Sequence, residues 1–325
     1  MTNGTASEGT KRNKIRFGFV IAAAILMLLG IIIITFAASD NKSLMSSLSY
    51  AEKTGVTIPA DEYNPLYDNN IVCVSGEITY SEPISDSITG FSATGLCLRR
   101  ISEIYQWMET EQSDEYGTEY TYRETWVSEP IDSERFRNRS SHVNTPDKFI
   151  PSDEFYDYDA RLGAFSLPIE AVNDLANKEA KLIQLADTGY KADLERYFVC
   201  DNYITSFSRE PSVDDIRISY TVLAPTHVTI VALQHGDTFT SFSSDSGSDV
   251  ILMYDGIYTL EEAVAIAADN GRIKAAVGCV IGAALIIAGI LILNFLANVP
   301  IFGGLSKRSS VDSNYPEDEE LPVVK

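Results

Sequence analysis

Histidine and cysteine are scarce in this chain, three and four among 325 residues. None of the cysteines stands in a C-x-x-C pair, and no Cys/His spacing of a structural zinc site occurs. A glycine-rich phosphate loop, a G-x-S-x-G elbow and an H-E-x-x-H helix are absent too, which removes the common signatures of nucleotide, serine-hydrolase and zinc-protease chemistry. His227 and His235 bracket a β-like run and read as structural or solvent-facing. His142, in the polar stretch 140–146, is the one histidine worth probing. Carboxylate neighbours such as Asp214 and Asp215 arise by chance in so acidic a chain. The expectation is a protein that is not an enzyme and uses no metal and no cofactor.

Basic charge is also short: 25 Lys and Arg against 46 Asp and Glu, a formal net charge of −21. The first 16 residues carry +3 and the last 23 carry −2, so the middle of the chain holds −22. A domain this acidic is repelled by nucleic acid and by anionic headgroups, and no nucleic-acid partner is expected. The acids are scattered rather than spaced as in a calcium loop, so solubility is the plain reading.

From two stretches charge is missing altogether, Phe17–Ala38 and Ala275–Ala297. About 20 helical residues cross a bilayer's hydrocarbon layer, and a helix is needed because lipid offers the backbone no partners. Thr35-Phe36-Ala37 resembles a cleavage site, but a signal peptide's apolar core is about 7–15 residues. The longer run here predicts an uncleaved anchor. The second run lacks the polar stripe of a surface helix. Lys11, Arg12, Lys14 and Arg16 before the first run, and Lys307 and Arg308 after the second, place both termini in the cytosol; Arg272 and Lys274 argue the other way. The expected division is a basic cytoplasmic tail (1–16), a transmembrane helix (17–38), an extracytoplasmic or lumenal domain (39–273), a second transmembrane helix (274–299) and an acidic cytoplasmic tail (300–325).

Gly278 and Gly282 form a small-x-x-x-small pattern, and Asn294 is the one polar group deep in the second run. These are candidates for helix packing, against the first membrane helix or a second copy of the chain, with plain spacing as the alternative. The expected partners are the lipid bilayer and other membrane proteins, with the chain itself as a homo-oligomer.

The middle reads as α+β, a mixed and largely antiparallel exported domain flanked by the two transmembrane helices. Residues 39–68 look juxtamembrane, with an amphipathic stretch at Leu44–Ala51. Short β-like runs follow at Ile71–Val74 and Ile78–Tyr80. Leu96–Met108 fits helix or strand by periodicity, and Tyr120–Val127 is plainly a strand, so a long hairpin with a charged tip is expected. Ser-Glu-Pro-Ile recurs at Ser81–Ile84 and Ser128–Ile131, a duplicated unit or a coincidence. Pro168–Ala180 predicts a helix, and Asp215–Val222 and Val228–Leu233 predict an antiparallel pair across Ala224-Pro225. Gly236-Asp237 marks a turn, and Thr259 with Glu262 forms a capping box opening a helix at Leu260–Asp269. In an oxidising compartment Cys73 would pair with Cys97, leaving Cys200 over and Cys279 in the membrane. Arg99, Tyr105, Trp107 and Trp126, with His142, form a candidate interaction surface, since aromatics and Arg dominate binding hot spots. The competing reading puts both tryptophans in the core.

The run Leu98-Arg-Arg-Ile-Ser-Glu-Ile-Tyr-Gln-Trp-Met-Glu109 resembles a signature of the transmembrane protein 43 family, also called LUMA, which reads L-x-R-x-V-E-M-Y-Q-W-x-E. Thr125-Trp-Val-Ser-Glu129 is similar to its W-x-S-E strand, and Ser141-His-Val-Asn-Thr-Pro146 to its H-x-N-P loop with one residue inserted. Gly163-Ala-Phe-Ser-Leu167 and Gly236-Asp237 match in the same order. Asp215-Ile-Arg-Ile-Ser-Tyr220 resembles the family's G-D-x-R-V-S-F strand, with Asp214 standing where the family has glycine. The resemblance covers about residues 65–270. It implies a membrane protein with a large lumenal domain and no established enzymatic activity. It further implies, for animal members, residence in the endoplasmic reticulum and inner nuclear membrane, self-association, and a role in organising nuclear-envelope proteins; bacterial relatives would share the domain at the cell membrane. The family carries several C-terminal membrane helices, where one apolar run stands here.

The leading expectation is thus a membrane-embedded scaffold whose exported domain makes protein contacts. The alternative is a ligand or lipid sensor that signals through Leu260–Asp269 into the second membrane helix.

Overall fold

The computed structural model describes residues 4–114, 117–192, 194 and 197–298. The acidic tail expected over 300–325, with Lys307 and Arg308, lies outside them, as do the side chains of Lys11, Arg12 and Lys14. Helix α1 (Gly4–Thr54) is followed by β1 (Val56–Ile58), β2 (Ile71–Thr79), β3 (Ile84–Ser85) and β4 (Ser92–Ala93). The hairpin β5 (Cys97–Asp114) and β6 (Gly117–Val127) comes next, then β7 (Asp153–Tyr156), β8 (Arg161–Leu162) and β9 (Phe165–Ser166). Helix α2 (Ile169–Glu179) precedes β10 (Lys181–Leu182), β11 (Phe198–Cys200), β12 (Tyr203–Thr205) and β13 (Ile216–Leu223). The last elements are β14 (His227–His235), β15 (Thr238–Thr240), β16 (Leu252–Asp255) and α3 (Leu260–Asn298). The chain divides into two compact units, Ala38–Ala275 and the two-helix unit made by the residues on either side.

Within Ala38–Ala275 the strands form two main sheets. One runs β15-β14-β2-β8-β9, with β1 parallel to β2 and β16 on β14; the other runs β11-β12-β13-β5-β6, with β10 on β13 and β7 on β5. The fold is α+β, as its alternating strand patterns require. Leu96–Met108 resolves as strand: Leu98, Arg100, Ser102, Ile104 and Gln106 are buried, whereas the residues between them are half-buried or exposed. The predicted hairpin is present, paired without interruption from Ile104–Val127 out to Asp114–Gly117. The two runs at 71–80 merge into one strand, and the amphipathic stretch at Leu44–Ala51 is the end of α1, which continues to Thr54. The two Ser-Glu-Pro-Ile copies follow strands of different sheets and continue differently, one into β3 and one into a loop.

Two expectations fail. β13 and β14 do not pair: β13 lies between β12 and β5, while β14 lies in the other sheet against β2, β15 and β16. The residues after Leu223 carry the chain from one sheet to the other, and β14, buried on both faces over Val228–Ala232, sits in the middle of its sheet as a near-continuous apolar run should. Cys73 and Cys97 are both free and buried, because the alternation of β2 sends them to different cores. Val72 and Val74 face a cluster with Cys97, Leu162, Phe165 and α2's Val172 and Leu175. Ile71 and Cys73 face the opposite cluster, built from Leu48 and Ala51 of α1 and Leu260, Ala263 and Val264 of α3. Burial raises the Cys73 thiol pKa to about 11. A third cluster, with Leu98, Ile104, Ile204, Ile216 and Ile218, lies against the second sheet. The capping box forms reciprocally: Thr259 N–H donates to Glu262 Oε2 (2.9 Å) and Glu262 N–H to Thr259 Oγ1 (3.2 Å).

In the two-helix unit, glycine permits close backbone approach. A Cβ on Gly282 would lie 2.6 Å from the Gly30 carbonyl oxygen, and one on Gly278 would lie 2.7 Å from the Ala37 Cβ. Gly289 meets Ala23 and Met27 in the same way, so α1 presents Ala23, Gly30 and Ala37 at seven-residue intervals. Asn294 takes no part in this contact and lies on the exposed surface of α3. Arg16 Nη2 donates to the Leu296 carbonyl (2.7 Å), near the helix end where carbonyls lack intrahelical partners.

Candidate interaction surface

The parity of β5 builds the site. Odd-numbered side chains face away from the third cluster, and pairing with β6 sets Tyr105 opposite Trp126 and Trp107 opposite Glu124. Tyr105, Trp107 and Trp126 are each half-buried on this face, so the tryptophans do not fill the core. Tyr105 and Trp126 rings lie 5.2 Å apart, and Phe207 packs on Trp126 at 5.7 Å. Arg217 of β13 is sandwiched here, its guanidinium 4.3 Å from the Trp126 ring and 5.0 Å from Tyr203. Glu103, directly opposite Arg217 in register, fixes that guanidinium at 2.7 Å. Cation–π contacts of this kind are worth about 0.5–2 kcal/mol.

A second group adjoins it. His142 stacks on Tyr122 (3.8 Å, 7° between planes) and meets Trp107 edge-on at 4.6 Å. Its Nδ1 lies 3.1 Å from the Asn138 carbonyl. The Tyr122 hydroxyl donates to Glu109 Oε2 (2.5 Å) and accepts from Asn138 N–H (2.9 Å). Burial, and then the bond to Glu109, raise the Tyr122 pKa. The loop that carries His142 is held by buried amides. Asn144 Oδ1 accepts from Trp107 N–H (2.9 Å) and its Nδ2 donates to the Trp107 carbonyl (3.1 Å), standing in for a neighbouring strand. Gln106 Oε1 accepts from Ile131 N–H (2.7 Å), and Gln106 Nε2 donates to Asp214 Oδ1 (3.1 Å). Asp214 Oδ2 accepts from Thr145 N–H (2.8 Å) and the Thr145 hydroxyl.

Asp214 has φ +73°, the left-handed region that glycine prefers. The turn into β13 is therefore made without glycine, and the aspartate side chain adds the bonds that anchor the loop.

Four of the five residues expected at the surface come together: Tyr105, Trp107, Trp126 and His142. Arg99 does not. It shares their face, but six residues of strand, about 20 Å, separate it from Tyr105. Helix α2 covers that end: Arg99 Nη2 donates to Asn173 Oδ1 (2.5 Å) and Arg99 pairs with Glu154 (3.0 Å). The sequence reading missed Arg217, Tyr203, Tyr122, Phe207 and Glu103. Parity alone signals Arg217, which alternates with Ile216 and Ile218; its neighbours on the face come from other strands and loops.

Comparison with known proteins places this arrangement in context. The family model described as Transmembrane protein 43 matches residues 104–307. The chain is 28% identical over 250 residues to Transmembrane protein 43 of Homo sapiens, and 27% identical over 246 residues to that of Mus musculus. Each match covers 69% of this chain and 61% of the relative. The Transmembrane protein 43 homolog of Drosophila melanogaster is 25% identical over 229 residues, 66% of this chain and 59% of its own length. The chain thus spans about three-fifths of the length of the curated relatives it matches. No solved structure matches it.

Proposed function

The chain belongs to the transmembrane protein 43 family, and on that premise we propose that this membrane protein is a scaffold rather than an enzyme, with membrane proteins as partners and a second copy of itself among them. The observation that carries the reading is the aromatic and arginine face at Tyr105, Trp107, Trp126 and Arg217. Rings and a guanidinium held rigidly on a half-exposed sheet face have the composition of a binding hot spot. His142, the histidine singled out for chemistry, is engaged in ring stacking and suits a contact surface better than proton transfer.

In this proposal the domain faces the lumen or exterior, with both termini cytosolic. The compartment is the endoplasmic reticulum or inner nuclear membrane in a eukaryotic cell and the cell membrane in a bacterial one. Nuclear-envelope organisation is the role proposed for the first setting. Protease added to sealed, oriented vesicles should spare the domain and remove tags at both termini. The surface is tested by crosslinking the full chain in native membranes. Trp107→Ala with Trp126→Ala should abolish crosslinks to partner proteins while unfolding stays cooperative. Retention of every crosslink by the double variant refutes the reading.

A second reading, a ligand or lipid sensor, draws on α3 being one unbroken helix from Leu260 to Asn298. Lipids or metal ions that raise the melting temperature of the full chain would favour it.

A further inference from the structure

Beyond the Trp107–Glu124 rung the long hairpin leaves its sheet. β13 pairs with β5 only over Cys97–Ile104 and β7 only over Cys97–Arg100, while β6 pairs with nothing but β5. Among the described residues, the far part of the hairpin is a ribbon of two strands with open backbone edges. Two strands without a third, or a core, are marginal in water. Proteins usually blunt exposed edges with unpaired charges, lysine above all, or with proline, a bulge or a short strand. β6 is 11 residues long, contains neither proline nor lysine, and keeps one register with β5 throughout.

We propose that two copies of the chain pair antiparallel along β6, about a twofold axis normal to the sheet at Thr121. This rests on the self-association in the reading above and gives it a surface. The twofold operation preserves sheet faces, so opposed residues must have the same parity, and the axis must set one residue against its own copy. An axis at Arg123 or Glu124 opposes like charges. An axis at Tyr120 sets Arg123 against Gly117, and one at Tyr122 sets it against Thr121, so neither satisfies the guanidinium. With the axis at Thr121, Glu119 opposes Arg123 of the second copy, twice, and Tyr120 opposes Tyr122 of the second copy, twice, on the other face. Glu119, Thr121 and Arg123 are exposed, and neither charge has an ion-pair partner among the described residues. The β5 edge is not self-complementary, because Glu109 and Glu111 supply acids and the strand offers no base between Trp107 and its tip. Opposite charges across a strand pair stabilise it and like charges destabilise it, which selects this register.

The test uses the full chain in nanodiscs with Cys200→Ser removing the exposed native thiol. Thr121→Cys places two thiols across the axis at the Cα separation a disulfide needs, so mild oxidation should give a covalent dimer. Thr125→Cys, which would oppose Gly117, should give none. Arg123→Glu should weaken dimerisation about tenfold, and Glu119→Arg combined with Arg123→Glu should restore it. A dimer by mass whose thiols introduced at position 121 do not crosslink, or whose affinity ignores the charge reversal, overturns the β6 pairing and leaves self-association standing through another surface. A chain that stays monomeric by mass at every concentration overturns both. Crosslinking of the position-121 thiol to a different protein also overturns the pairing, since the edge then serves a foreign strand.

Discussion

On one face of β5, Arg100 and Gln106 are buried to 1% and 0% exposure among Leu98 and Ile104; on the other, Tyr105 and Trp107 stay half-buried beside Ile101, which is 40% exposed. The contrast reverses what hydropathy alone would sort. The inner face accepts this charge because the guanidinium itself is partnered there. Arg100 Nη1 donates to Asp86 Oδ1 (2.6 Å) and Nε to the Pro151 carbonyl (2.9 Å). Asp86 also accepts from the Tyr220 hydroxyl (2.5 Å), the Thr89 hydroxyl (3.1 Å) and Ile88 N–H (2.9 Å). A buried ion pair so satisfied need add little net stability, but losing one partner strands the other in a medium that cannot solvate it. The outer face keeps its rings partly in water because, among the described residues, no α-helix covers it past Arg99. Its polar groups there, Glu103 and Arg217, pair with each other while each stays partly exposed.

The largest break in this contrast is Arg100→Ala, which leaves Asp86 buried and unpaired; denaturant unfolding should record a loss of about 3–5 kcal/mol. The equivalent outer change, Arg217→Ala, should cost about 1–2 kcal/mol, since its carboxylate partner retains water. Equal losses from the two would abolish the distinction between faces.

The same contrast carries an acid dependence. Burial by itself would raise the Asp86 pKa, but hydrogen bonds from Tyr220 and Arg100 outweigh it and hold the carboxyl below its ordinary value. The unfolded chain therefore takes up this proton first as pH falls. The stabilisation is complete above about pH 4 and disappears as pH drops through the folded-state pKa. Asp86→Asn should lower stability at about pH 6 and flatten its fall as pH drops below about 4. An unchanged slope in the variant would assign acid sensitivity elsewhere.

Asp214 sharpens the comparison at the seam between the faces. Asp214→Ala keeps the left-handed backbone under a Cβ and removes the bonds to Gln106 and Thr145, whereas Asp214→Gly removes the same bonds and relieves the backbone. The alanine variant should be less stable by about 1 kcal/mol, read from the two denaturation midpoints. An effect of similar size belongs to His142→Ala, about 0.5–1.5 kcal/mol for the lost ring contacts, with Trp107 emission shifted by its new exposure.

Strand alternation made much of the candidate surface legible beforehand. Glu103, Tyr105 and Trp107 follow period two, and the hairpin partner Trp126 follows from the turn between them. Arg99 fits the same pattern yet lies under α2, because periodicity gives the face of a sheet but not which part of it a helix will cover. Reading β13 and β14 as a hairpin fails similarly. A short connection favours antiparallel neighbours, yet both edges of β13 are taken, one by β5 from far earlier in the chain and the other by β10 and β12.

The sequence by itself determined the two apolar helices, the acidic character between them, the shared side of Ile216, Ile218 and Tyr220, the capping box at Thr259 and Glu262, and the family. Those are properties of residues within a helix turn or a few strand positions, where local geometry and transfer from water decide. Only the tertiary structure decided that Cys73 and Cys97 point into different cores, that Arg100 is buried on Asp86, and that Arg217 lies between Trp126 and Tyr203. Each of those depends on segments distant in the chain meeting at one place, and the energy of the meeting is written in neither segment alone.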